Sequence, residues 1–200
     1  AQATPESAAV VLRTVLGAAQ VSPALRLDNA KGERVRNIEV TRWRSGPVQI
    51  VSLFRHAGQP EPARLTLPQA MYAYDLKQHK NLGKQQAFSL TITPYRAVFL
   101  ALSPAPLQPA TLQAAGAVAR GGVQQVRVAS ALPQGQQAVK LTVKLPGGAE
   151  ADWADQVVVV GKAGATVAVP VAFNDPAGPW TVSATDLYTG QTTSAQFNVK

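Results

Sequence analysis

The residues of this chain best suited to chemistry are carboxylates set beside an aromatic ring: Glu150, Asp152 and Asp155 surround Trp153. Glycoside hydrolysis needs two carboxylates facing each other across a sugar-sized gap, one to protonate the leaving oxygen and one to attack or to activate water. Asp152 and Asp155 are the local candidates, and Glu150 is a still nearer neighbour of Asp152. The three together also offer the oxygen ligands that calcium prefers, yet their spacing is not that of a calcium-binding EF-hand loop. The plainer reading, adopted here, is that they solvate a loop around a partly buried tryptophan.

Other chemistries find less support. His56 and His79 are the only histidines, both in loop-like sequence without a neighbouring carboxylate, which makes a poor metal pair. None of the nine serines sits in a Gly-x-Ser-x-Gly elbow, and no histidine lies in the second half to serve Ser130, Ser183 or Ser194 as a base. Cysteine is absent, which removes thiolate nucleophiles, cysteine-bound zinc and disulfides. Arg120-Gly121-Gly122 lacks the strand, turn and helix context of a phosphate-binding loop and reads as a turn. No catalytic residue, metal site or cofactor is assigned, and the chain is read as non-enzymatic.

Binding is better provided for. Planar rings on which a pyranose stacks are the usual equipment of sugar-binding modules, and the candidates are Trp43 and Trp153, with Trp180 placed where a sandwich core needs an aromatic. Trp43 alternates with Arg42 and Arg44, so either the ring or the two guanidinium groups face the core. Ile38 and Val40 share the parity of the arginines, which leaves the phase of this strand open. Arg34, Arg36, Arg42 and Arg44 fall on alternating positions, a pattern that predicts a basic stripe on one sheet face.

The elements that must position these residues follow from periodicity. Thr4 caps and Pro5 opens an amphipathic helix whose apolar positions Ala8, Val11, Leu12, Val15, Leu16 and Ala19 recur at helical spacing, ending near Ser22-Pro23. From Ala24 the period becomes two. Short runs at 25–27, 35–43, 48–54, 65–67, 71–74, 88–92 and 97–102 are separated by turn sequences, with a hairpin loop at 75–83. The segment from Ser103 to Pro109 carries three prolines, which discourage pairing, so it is read as a linker. Further strands are expected at 124–129, 139–145, 156–160, 166–173, 180–185 and 193–199, the spacing of an antiparallel sandwich. Asp75-Leu76 with Gly83 and Asp186-Leu187 with Gly190 echo one another as shared turn chemistry.

Composition agrees. Hydrophobic residues make up 46% and charged residues 15%, ample for a core and unlike a disordered chain. Most of the net charge of +8 resides in the first half, where 13 Lys/Arg meet 6 Asp/Glu, against 6 and 5 in residues 105–200. Without interleaved aromatics or a reading motif this excess disfavours nucleic acid. No apolar run reaches the roughly 20 residues of a membrane-spanning helix. The opening Ala1-Gln2-Ala3 fits what signal-peptide cleavage leaves and fits an arbitrary boundary equally.

Three stretches carry a resemblance: the helix from Pro5 to Gln20 with Val21-Ser22-Pro23; Val35 to Trp43 before Val48 to Phe54; and Tyr74-Asp75-Leu76 with Leu82-Gly83 followed by Thr93 to Leu102. Over residues 5–103 the chain resembles the C-terminal β-sandwich accessory domains of large β-galactosidase-like glycoside hydrolases, the module after the trimerisation domain. From Ala110 it is similar to Ig-like tail domains of extracytoplasmic proteins, with Asn174-Asp175-Pro176-Ala177-Gly178-Pro179-Trp180 as the entry to a penultimate strand. The resemblance implies fold rather than ligand, and the two-carboxylate chemistry of those enzymes' catalytic barrel transfers to no residue here.

The expectation is an all-β chain of two antiparallel Ig-like β-sandwich domains (23–104 and 110–200), joined by a linker at 105–109 and preceded by an N-terminal helix within 1–22. Its expected role is that of a non-catalytic accessory module, periplasmic or secreted, packing on a neighbouring domain or subunit of a larger carbohydrate-active or cell-surface protein. A carbohydrate-binding module, with a glycan as partner, and a periplasmic Ig-type chaperone are the alternatives.

Overall fold

The computed structural model describes residues 4–21, 23–114 and 116–200; Ala1-Gln2-Ala3, Ser22 and Ala115 lie outside them. The opening helix, α1 (Pro5–Ala18), begins at Thr4, whose extended backbone and hydroxyl acceptor take the Ser7 N–H at 3.3 Å. It ends sooner than its apolar pattern suggests, because Gln20 adopts a left-handed φ of 55° after one turn at Ala19. None of its described side chains is buried.

Six strands then form one sheet: β1 (Arg26–Asn29), β2 (Ile38–Ser45), β3 (Val48–Arg55), β4 (Glu61–Asp75), β5 (Lys80–Ile92) and β6 (Val98–Ser103). The expected separate runs at 65–67 and 71–74 are one strand. At Pro68, which has no N–H to donate, the pairing of β4 with β5 slips between Thr66 and Met71. Gln86 Nε2 bridges the gap by donating to the carbonyls of Leu67 and Pro68 at 3.3 and 3.2 Å. Before the slip β4 pairs with β1, and after it with β6, so the sheet turns a corner and packs its own inner face. Leu27, Leu65 and Phe88 from one arm meet Val51, Leu53, Leu100 and Leu102 from the other in this core.

The remainder is built from β7 (Thr111–Ala114), β8 (Ala117–Val118), β9 (Val123–Ala129), β10 (Gln137–Lys144), β11 (Gln156–Val160), β12 (Ala165–Pro170), β13 (Gly178–Asp186) and β14 (Thr192–Val199). They make a five-stranded sheet, order β11-β10-β13-β14-β8, over a three-stranded one, order β12-β9-β7. Alternate residues of β13, from Trp180 to Asp186, are buried between them. On the opposite face Ser183 pairs with Ser194 and Thr185 with Thr192, each hydroxyl pair at 2.9 Å, a solvated surface. One pairing departs from the antiparallel expectation: β8 runs parallel to β14. Beyond Gly116, at φ 80°, the chain leaves the partner of β7 for the other sheet, which sets its direction. The chain is thus all-β and sandwich-like with one N-terminal helix.

The two cores meet in a third. Val48, Tyr74 and Ala101 from the first sheet pack on Leu107 of the three-proline segment and on Leu132 and Tyr188 of the second sandwich. Beyond Ser103, the last residue of β6, that segment enters no sheet but is strapped down: Leu107 N donates to Tyr74 Oη at 2.8 Å, and Gln137 Nε2 donates to Gln108 O at 2.9 Å. Gly46 and Gly135 touch backbone to backbone, a Cβ on Gly135 falling 2.6 Å from the Ser45 carbonyl. The two echoing turns behave alike. Asp75 Oδ1 accepts from Lys77 and Gln78 N–H, and Asp186 Oδ1 from Tyr188 and Thr189 N–H, and the first turn's His79 rests on the second's Gly190.

Asp186 is fully buried and also receives Gln137 Nε2 and the Thr189 hydroxyl. Asp186→Ala strands several buried donors at roughly 1–3 kcal/mol each, so urea denaturation is expected to show a loss of at least about 3 kcal/mol. Burial, and secondarily the charge of Asp186, push the Tyr188 phenol up, against the pull of Ser45 in the other direction. A phenol raised on folding contributes stability that is whole below the ordinary value near 10 and is lost as pH rises toward its folded value. Between about pH 9 and 11, Tyr188→Phe should therefore lose stability less steeply than the parent, measured by urea midpoints across that range.

Candidate functional site

Trp153 sits on a single 3-10 turn, Asp152–Ala154, between β10 and β11. Ala151 and Ala154 are buried and anchor the turn, which leaves the indole 55% exposed. It is braced on Trp180 in a T-shaped contact, centroids 6.3 Å apart at 63°, and Trp180 in turn lies 5.7 Å from Phe197 in the core. The ring is therefore held by a file of aromatics running inward, at little cost in side-chain freedom.

The facing wall is the loop after β12. Trp153, Pro170, Val171, Ala172, Asn174 and Asp175 line a groove of about 430 Å³. The loop is pinned at several points: Ala172 N donates to Asp175 Oδ2 at 2.7 Å, Asp175 N to Ala172 O at 3.2 Å, and Trp180 Nε1 to Pro176 O at 3.0 Å. Gly178, at φ 125°, brings this loop onto Pro146, 3.2 Å from where a Cβ would stand. The Asp175-Pro176-Ala177-Gly178-Pro179-Trp180 series thus spaces a cap, an acceptor, a contact point and a core ring. The Asn174 amide and Asp175 Oδ1 have no hydrogen-bond partner among the described residues. Phe173, 82% exposed, alternates away from the groove and lies over Gly121.

The carboxylates that open the sequence argument do not converge. Asp155 reaches Lys140 at 3.4 Å and Glu150 reaches Lys144 at 3.8 Å, both lysines on β10, and no three acidic or histidine side chains gather among the described residues. His56 does have a carboxylate partner, Glu39 Oε2 at 3.3 Å, brought by the β2–β3 register and invisible in sequence; both groups are exposed.

Trp43 is placed by register. Arg42 pairs with Val51 and Val40 with Leu53, so the arginines share the face of the first core, where Arg42 Nη2 reaches Gln49 Oε1 at 2.8 Å at the rim. Trp43 faces the other way, at the end of the row Trp43, Ile50, Ala101 and Tyr74 that runs under the second sandwich. It is 49% exposed. The predicted basic stripe is broken: Asn37, at φ 55°, separates Arg34 and Arg36 from β2. Arg34 turns to Asp28 at 3.6 Å, and Arg36 borders a separate groove with Arg55 and Glu61, themselves paired at 2.9 Å.

No family model matches the chain, and no curated protein matches it. Among solved structures, an isomalto-dextranase of Arthrobacter globiformis T6 complexed with panose is similar over 84% of this chain and 33% of that one, at 14% identity and a TM-score of 0.29. The chain thus corresponds to about a third of that protein's length. Such a value lies below the level that marks a common fold, so what the groove can do is read from its own residues.

The groove brings together one exposed indole, one carboxylate oxygen and one amide, the carboxylate oriented by the Ala172 N–H. Trp153 was a candidate platform in the sequence, whereas the facing residues Pro170 to Asp175 were not singled out, because they come from another sheet. Trp180 is fully buried and Trp43 and Trp153 about half exposed, so acrylamide should quench two of three tryptophans. Trp153→Phe is expected to remove roughly half of the quenchable emission, scaling with the exposed rings, while thermal stability changes little.

Proposed function

We propose that the chain is a non-catalytic assembly module, one that packs against a neighbouring domain or subunit of a larger extracytoplasmic, carbohydrate-active protein. One observation carries this reading: α1 presents Val10, Val11, Leu12, Val15 and Leu16 to solvent, each 44–61% exposed, on a helix with no buried side chain among those described. A short isolated helix is marginal in water, and its order in proteins comes from covering an apolar face. Contiguous apolar surface of this kind marks an interaction site. The resemblance of residues 5–103 to accessory sandwiches of β-galactosidase-like enzymes supplies the setting.

Leu12→Glu with Leu16→Glu tests it. These side chains touch no core, so stability should shift by no more than about 0.5 kcal/mol. The parent should bind an environment-sensitive apolar dye and self-associate with rising concentration in sedimentation, and the double variant should do neither. Indistinguishable behaviour of parent and variant overturns the assembly reading.

A further inference from the structure

We propose that the groove between Trp153 and the loop Pro170 to Asp175 is a binding site for one pyranose ring of an uncharged saccharide. This goes beyond the assembly role and uses none of its residues.

A surface tryptophan is ordinarily a liability, since it exposes apolar area without covering a core. Trp153 is held in that position by its T-shaped contact with Trp180, so the part of the ring left exposed is a fixed apolar surface rather than a mobile side chain. A pyranose offers a matching surface: axial C–H bonds on one face and hydroxyls around the rim. The facing wall supplies what the rim requires. Asp175 spends Oδ2 on the Ala172 N–H, which orients the carboxylate, and keeps Oδ1 for a hydroxyl donor. Asn174 adds an amide that both donates and accepts. A groove of about 430 Å³ falls within the size range of small-ligand sites and takes one ring with its substituents. The pinned loop means that little order is lost on binding.

Charge selects the class of sugar. The second half holds five acidic residues, of which Asp186 is buried; the other four, Glu150, Asp152, Asp155 and Asp175, lie at this groove or within three positions of Trp153. Lys144 and Lys140 offset Glu150 and Asp155, leaving Asp152 and Asp175 without cationic partners among the described residues. A uronate, sulfated sugar or nucleic-acid phosphate meets like charge here, although the chain as a whole is strongly basic. The arginines that produce that basicity are in the first sandwich and take no part.

The test is a titration of the purified chain with neutral oligosaccharides (malto-, cello-, manno-, xylo- and galacto-hexaoses) and with polygalacturonate and heparin fragments. Calorimetry at about 5 mM sugar covers affinities down to the millimolar range. At least one neutral series should bind, Trp153→Ala should weaken it tenfold or more, Trp153→Phe should retain part of it, and Trp43→Ala should leave it unchanged. Thermal melts confirm that each variant is folded. Silence of every neutral series, equal binding by Trp153→Ala, or a preference for the acidic fragments overturns the proposal. Because the helix variant Leu12→Glu with Leu16→Glu should bind sugar normally, failure of this inference and failure of the assembly reading are told apart.

Discussion

The arrangement of the two sandwiches depends on one buried polar cluster, Asp186 with Gln137. A carboxylate and an amide in a fully buried place are tolerable only when each donor and acceptor finds a partner. Here they do: Asp186 receives two turn N–H groups, the Thr189 hydroxyl and Gln137, while Gln137 Oε1 receives Ser130 Oγ and Ala131 N. The second amide hydrogen of Gln137 goes to Gln108 O, in the segment between the sandwiches. One cluster therefore shapes the β13–β14 turn, the loop after β9 and the connector together. Each of these presents a seam residue: Tyr188, Leu132 and Leu107.

Apolar packing alone would not fix this geometry, because a hydrophobic contact is indifferent to small sliding. The polar cluster and the two glycine contacts remove that freedom. At Gly46 and Gly135 the backbones approach so closely that a methyl on either glycine has no room, and Gly190 admits His79 in the same way. The result is two cores whose relative position is set by hydrogen-bond direction and backbone contact. The same division of labour appears at the candidate groove, where Trp180 supplies burial and Asp175 supplies direction.

Much of this was legible in the sequence where a single element carries the signal. Turn chemistry located β11 to the residue and foretold that Asp75 and Asp186 do the same local job, since an aspartate accepting from the next N–H groups needs only its own neighbours. Three things were not legible because they arise between elements. The phase of β2 was open, and it resolved against intuition: at a sheet edge, arginine stems can lie on the core-facing side and direct their charge outward at the rim. Pro68 reads as a strand break, yet Gln86, eighteen residues on, satisfies the carbonyls that the proline leaves behind. The groove pairs Trp153 with residues about twenty positions later, on a loop whose place depends on β12 joining β9 rather than β11.

The two surfaces given roles here are opposite in kind, and that follows from where each sits. The helix stripe of Val11, Leu12, Val15 and Leu16 is aliphatic, so it discriminates by area and shape. The Trp153 groove is small and carries directed polar groups on a braced frame, so it discriminates by hydroxyl geometry and charge. A surface of the first kind suits a large, permanent partner, since only a large contact repays the loss of orientation with apolar area alone. A surface of the second kind suits weak, reversible capture of a small polar ligand. Because β11 leads away from the Trp153 turn and the helix belongs to the other end of the sequence, occupation of one does not require the residues of the other, and a single chain can hold both.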